Sequence, residues 1–152
     1  MRKTNIYEEK SLNQIFVKVK HRHFTRAVGL YEEIGLFIGQ PPILFELIKE
    51  DGLTQKELAE RRNLSPATIT VTLKRMEKAG WITRRADTED SRVSRVFLTE
   101  KAMNIQNLLK EKQQQMEEET FKNFTDIEKV LLRRFLLQIW ENLGESVGTN
   151  YK

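Results

Sequence analysis

The stretch from Leu53 to Leu98 is punctuated so closely that only short elements in one order fit it. Thr54-Gln-Lys-Glu57 is a capping box, in which the Thr54 hydroxyl satisfies the amide of Glu57 and the Glu57 carboxylate reaches back. The helix it opens is brief, over residues 54–62, with Leu58 and Ala59 turned inward and Asn63 as a left-handed exit. Ser65-Pro66 supplies a second start, a capping hydroxyl with proline at the first helical position. This second helix runs over residues 65–79, and Gly80 stops it. Past Gly80, Trp81-Ile-Thr-Arg-Arg85 and Val93-Ser-Arg-Val-Phe-Leu98 are rich in β-branched and aromatic residues, with a polar turn from Ala86 to Arg92 between them. Two short helices joined through Arg62–Ser65, followed by a two-stranded hairpin over residues 81–99, make a winged helix-turn-helix over residues 53–102.

The flanks read as helices. Leu12, Ile15, Phe16, Val19, Phe24, Ala27 and Leu30 form an imperfect helical stripe from about Ser11 to Glu33, with Gly35 as its stop. Pro41-Pro42 opens a short helix with a core face of Ile43, Leu44, Leu47 and Ile48, ended by Asp51-Gly52. Thr99 caps a long helix to about Thr120. Thr125-Asp-Ile-Glu128 is a second capping box, opening a last helix to about Leu143. The fold class is therefore mainly α with a small β-hairpin wing, one domain over residues 1–152. The first and last helices are too apolar for the surface of a small monomer, with Phe16, Val19, Phe135, Leu136, Ile139 and Trp140 making a large patch, and the segments 11–35 and 103–147 are expected to pair across a two-fold axis as dimerisation helices.

At 100° per residue, Ile69, Leu73 and Met76 fall on the inner side of the second short helix. Ala67, Val71, Lys74 and Lys78 lie opposite, flanked by Thr68, Thr70 and Arg75. That outer face is small, hydroxylated and basic, with Glu77 the one carboxylate near its edge. Hydroxyls and cations suit phosphates, and short apolar groups such as Val71 and Ala67 suit thymine methyls. The ordinary alternative is a solvated basic helix. The hairpin argues against it, because Arg92 at its tip, with Arg84, Arg85 and Arg95 on its strands, suits the negative potential of a narrow minor groove. Asp87 and Asp90 can brace an arginine fork with bidentate hydrogen bonds; a hairpin salt bridge without a partner is the alternative.

Charge is local rather than general. The net charge is +4, and the excess lies in Met1–Leu30, with seven basic and two acidic side chains, and in Leu53–Ala102, with eleven and seven. The chain has no cysteine, which excludes a disulfide framework, a thiolate zinc site and a thiol redox switch. No apolar run approaches the ~20 residues of a membrane span, and the N-terminus is polar where a signal peptide is apolar, so a soluble cytoplasmic protein is expected. No nucleophile–base pair, phosphate-binding glycine loop or ligand cluster marks an enzyme, and no cofactor is expected. His21 and His23, two apart on a helix, point to different faces, which is poor metal geometry.

The segments Leu53-Thr-Gln-Lys-Glu-Leu-Ala-Glu60, Leu64-Ser-Pro-Ala-Thr-Ile-Thr70, Arg75-Met-Glu-Lys-Ala-Gly-Trp-Ile82, Arg85-Ala-Asp-Thr-Glu-Asp-Ser-Arg92 and Val96-Phe-Leu-Thr99, in this order, resemble the MarR family of bacterial transcription regulators. The Asp90-Ser91-Arg92 triplet matches that family's Asp-x-Arg wing motif. The resemblance implies a homodimer, a repressor type of regulator on a palindromic double-stranded DNA operator, with one helix in the major groove and one wing in the minor groove. It implies Ser65, Thr68, Thr70, Val71, Lys74 and Arg75, beside Ala67, as the major-groove face, Arg92 as the minor-groove residue and Asp90 as its brace. It also implies a small aromatic or anionic effector near the dimer interface, where His23, Phe24, Phe37 and Phe45 are available; no residue is assigned to that pocket, since such aromatics also fit a plain core. Val71 stands where many relatives carry a polar reader, and Ala102 where a glycine is common. A winged helix used only for protein interaction is the competing function.

Overall fold

The computed structural model describes residues 11–144. Helix α1 (Leu12–Glu32) leads to α2 (Gln40–Lys49), a two-residue strand β1 (Leu53–Thr54), α3 (Gln55–Arg62) and α4 (Pro66–Lys78). Strands β2 (Ile82–Ala86) and β3 (Ser94–Leu98) follow, then α5 (Glu100–Asn104), α6 (Gln106–Thr120) and α7 (Asp126–Leu143). The elements predicted from caps and stops lie within a residue or two of these bounds, with two differences.

The first difference is the sheet. The expected hairpin is antiparallel, Ile82 opposite Leu98 and Ala86 opposite Ser94. A third strand joins it, in the order β1-β3-β2, with Leu53 opposite Val96 and Thr54 opposite Arg95. Two residues are too few to show alternation, and Thr54 also serves as the cap of α3. Gly52 makes the entry to β1 possible. It sits at φ +79°, and a Cβ there would lie 2.9 Å from a ring carbon of Phe97. Only glycine combines a left-handed turn with that approach.

The second difference is the expected single helix from Thr99 to Thr120. It breaks at Ile105 (φ −97°, ψ 4°), which closes α5 and opens α6. No glycine or proline marks the break. Ile105 instead packs on the core, so tertiary packing rather than local chemistry sets the bend.

One buried cluster holds the reading end together: Ile43, Leu44 and Leu47 of α2, Leu58 of α3, Ile69, Leu73 and Met76 of α4, Trp81 beside the sheet, Ile82 and Val96 of the strands, and Ala102 and Leu109 beyond. The three inner positions expected on α4 are its buried residues. Gly80, at φ +77°, then lets Trp81 turn back and donate its amide to the Met76 carbonyl at 2.9 Å.

Helices α1 and α6 lie side by side, pinned by Arg26 to Glu119 (2.6 Å) and by Lys112 to Glu33. The stripe expected on α1 is buried only at Ala27 and Leu30. Helix α7 has no buried residue, though Ile127, Val130, Leu131, Phe135, Leu136, Leu137, Ile139, Trp140 and Leu143 all lie on it. Residues 145–147 of the predicted C-terminal segment lie outside the described residues. Among the described residues, no helix is long and apolar enough to cross a membrane, and no group of three His, Cys, Asp or Glu side chains is placed to hold a metal.

Candidate nucleic-acid interface

Helix α4 is set by its own caps. Ser65 accepts the Thr68 amide at 3.1 Å, and its hydroxyl meets the Thr68 hydroxyl at 2.8 Å. With Ile69, Leu73 and Met76 in the core, the opposite side is left to solvent: Ala67, Thr68, Thr70, Val71, Lys74, Arg75 and Lys78 are all exposed, and Ser65 is half-buried. Val71 is 49 % exposed at the middle of this face. No ion pair joins Lys74, Arg75 or Lys78 to a carboxylate among the described residues. The face therefore keeps its positive charge.

Glu77, the carboxylate near the edge, is taken out of that field by Arg84. The Arg84 guanidinium donates twice to one Glu77 oxygen, with Nε at 2.9 Å. That bond holds the Glu77 carboxyl below its ordinary value, and it ties β2 to α4. Helix and wing thus keep a fixed relation.

The wing is organised by two aspartates. Asp87 accepts the amides of Glu89 (2.8 Å) and Asp90 (3.0 Å), which builds the turn, and it pairs with Arg95. Arg95 also donates to the Gly52 carbonyl at 2.9 Å, so the wing is fastened to the turn before β1. The Arg95 bond, with the two amides, brings the Asp87 carboxyl down to about 2. Arg84 and Arg95, counted in the sequence as wing cations, are therefore struts.

Asp90 serves Arg92. Its Oδ1 accepts the Arg92 amide and Nε, each at 3.0 Å, and its Oδ2 accepts Nη2 at 3.1 Å. The two-pronged pairing holds the Asp90 carboxyl below its ordinary range. The Arg92 side chain is nonetheless 89 % exposed. It is braced at the base and open at the end.

The named positions therefore gather as two groups on one module, α4 from Ser65 to Arg75 and the wing tip at Asp90 and Arg92, all exposed except the half-buried Ser65 and Asp90. Two features were not read from the sequence. The hydroxyls of α4 bond to their own helix, Thr70 to the Pro66 carbonyl (2.7 Å) and Thr72 to the Thr68 carbonyl (2.8 Å). Gln55 of α3 reaches α4, donating its amide to the Thr70 hydroxyl at 2.7 Å. Spacing within one helix cannot reveal a partner on another.

A cleft of about 650 Å³ lies between α1, α2 and α6, lined by His23, Phe24, Tyr31, Phe45, Met116 and Phe121. His23, Phe24 and Phe45 are thus brought together, whereas Phe37 lies outside the lining. Glu46, Lys49 and Arg62 also border it, with Arg62 reaching Glu46 at 3.5 Å. Burial raises the Tyr31 phenol above its ordinary value.

Comparison with known proteins agrees with the module. The sequence pattern of the MarR family matches residues 39–94. The HTH-type transcriptional regulator YwoH of Bacillus subtilis, itself uncharacterised, is 36% identical over 111 residues, covering 70% of this chain and 80% of that one. A crystal structure of a MarR transcriptional regulator from Methanosarcina mazei superimposes with a TM-score of 0.74 at 25% identity, over 88% of this chain and 96% of that one. A mutant MarR from E. coli, crystallised with operator DNA, shares the fold with a TM-score of 0.76 at 21% identity, over 84% of this chain and 92% of its own. By its sequence kinship, and with a winged helix-turn-helix in the order its caps and stops require, the chain belongs to the MarR family of transcription regulators.

Proposed function

We propose that the protein is a sequence-specific double-stranded DNA-binding regulator of the repressor type, acting in the cytoplasm as a homodimer on a palindromic operator. The observation that carries this reading is the pairing of an exposed, carboxylate-free α4 face with an exposed Arg92 held out by Asp90. Ser65, Ala67, Thr68, Thr70, Val71, Lys74 and Arg75 would meet the major groove, and Arg92 the minor groove. The E. coli MarR structure with operator DNA supports it by fold.

The dimer rests on α7. Its nine large apolar side chains are exposed, and burying one fully is favourable by roughly 1.5–3 kcal/mol. A second copy on α1 and α7 covers them and sets two recognition helices ~34 Å apart, one turn of DNA. A small aromatic or anionic effector would enter the cleft between α1, α2 and α6, and release the operator.

The test is selection of bound duplexes from a random pool, followed by titration at rising salt. Specific binding selects a palindrome and weakens steeply with salt through counterion release. Recovery of no duplex at low salt would instead support a protein-interaction module. Screening small aromatic acids for release of the selected duplex then tests the effector.

A further inference from the structure

Gln55 is the first residue of α3, yet its side chain is engaged on α4. The direction of that bond follows from chemistry. Thr70 donates its one hydroxyl proton to the Pro66 carbonyl, which can only accept, so its oxygen must accept from Gln55. Gln55 therefore presents its NH₂ to Thr70, with one N–H used and the other open. Thr70 has no donor left for a base; what it still offers is a lone pair and its methyl group.

The bond is not required to set the angle between the helices. Leu58, Ile69 and Leu73 are fully buried and fix that angle already. A surface hydrogen bond between neutral groups adds little to that. Its position has a different consequence. Thr70 lies on the exposed face of α4, so Gln55 carries that face across to the start of α3, where Lys56 is exposed as well. The first helix of a helix-turn-helix crosses the DNA backbone while the second lies in the groove. A neutral N–H donor held there suits a phosphate oxygen, and phosphate contacts fix register rather than sequence.

We infer that Gln55 is a positioning residue of the DNA interface, which donates its free amide N–H to a backbone phosphate beside the major groove while holding the Thr70 hydroxyl turned back on its own helix. The inference rests on the DNA-binding reading above. Ala67, the Thr70 methyl and Val71 then form one apolar strip toward the bases, and the phosphate contact fixes where along the groove that strip lies.

The test is phosphate-ethylation interference on the selected operator, with the full-length wild type and Gln55 variants. In wild type, ethylation of one phosphate per half-site next to the α3 start reduces binding. Gln55→Ala loses sensitivity at that phosphate alone and binds about tenfold more weakly across all operator variants. Gln55→Glu, which sets a carboxylate against the phosphate, loses more. Gln55→Lys restores affinity and steepens the salt slope by about one counterion. Gln55 is half-buried and its bond to Thr70 contributes little to stability, so all three should melt within a few degrees of the wild type, which separates a contact from a folding defect. Wild-type affinity in Gln55→Ala and Gln55→Glu overturns the inference, as does a loss confined to one base pair. A wild type that selects no duplex overturns the DNA-binding reading itself, an outcome visible before any variant is made.

Discussion

Asp87 and Arg92 share the wing turn and serve opposite ends of it. Arg92 faces outward, and its loss should weaken binding to every sequence. Arg92→Ala is expected to lower affinity broadly with a smaller salt slope, checked by titration at several salt concentrations. Val71 should behave differently, because a methyl contact discriminates one base pair. Val71→Ala is expected to relax preference at one position by about 1–3 kcal/mol, read by comparing single-substituted operators. Asp87 holds the turn together. Its carboxyl is held at about 2 against an ordinary 3.8. A depressed carboxylate favours the fold above its unfolded value, and that contribution is lost as pH falls through the folded one. Thermal melting of wild type and Asp87→Asn should therefore differ at neutral pH and converge by about pH 2. A difference that stayed constant down to pH 2 would show that Asp87 is not the titrating strut.

Elements with strong local chemistry were legible. Thr54 with Glu57, Ser65 with Pro66, and Thr125 with Glu128 each place a helix start, and both capping boxes are formed with all their bonds. Asn63 and Gly80 place the stops, each with positive φ. Elements set by distant contacts were not legible. Strand β1 exists because Val96 accepts the Gly52 amide at 3.0 Å, across more than forty residues of chain. The break at Ile105 follows from packing, and the Gln55–Thr70 bond from two helices meeting. The interface shows the same division. The residues facing outward on α4 follow from helical geometry, whereas the roles of Arg84 and Arg95 as struts depend on Glu77, Asp87 and the Gly52 carbonyl. Removing a cap tests the local side of this account. Thr54→Ala should cost about 1 kcal/mol in a denaturant melt, with α3 the first segment to exchange its amides.

The molecule divides into a reading end with a continuous core and a pair of long helices without one. Among the described residues, fourteen buried side chains hold α2, α3, α4, the sheet and the start of α6. Helix α7 holds none, and Trp140 on it is 70 % exposed. In the proposed dimer a second copy covers this helix and supplies the second reading head. Leu136→Glu with Trp140→Glu should yield a monomer by sedimentation. Its operator affinity should fall about a hundredfold or more, since each head then binds alone. The binding of a selected palindromic duplex, against a scrambled duplex of the same composition across a salt series, tests the central claim most directly. The account predicts two chains per duplex, a preference of about a thousandfold or more for the palindrome, and log affinity falling linearly with log salt. Equal affinity for both duplexes, or no binding of either at low salt, would contradict it.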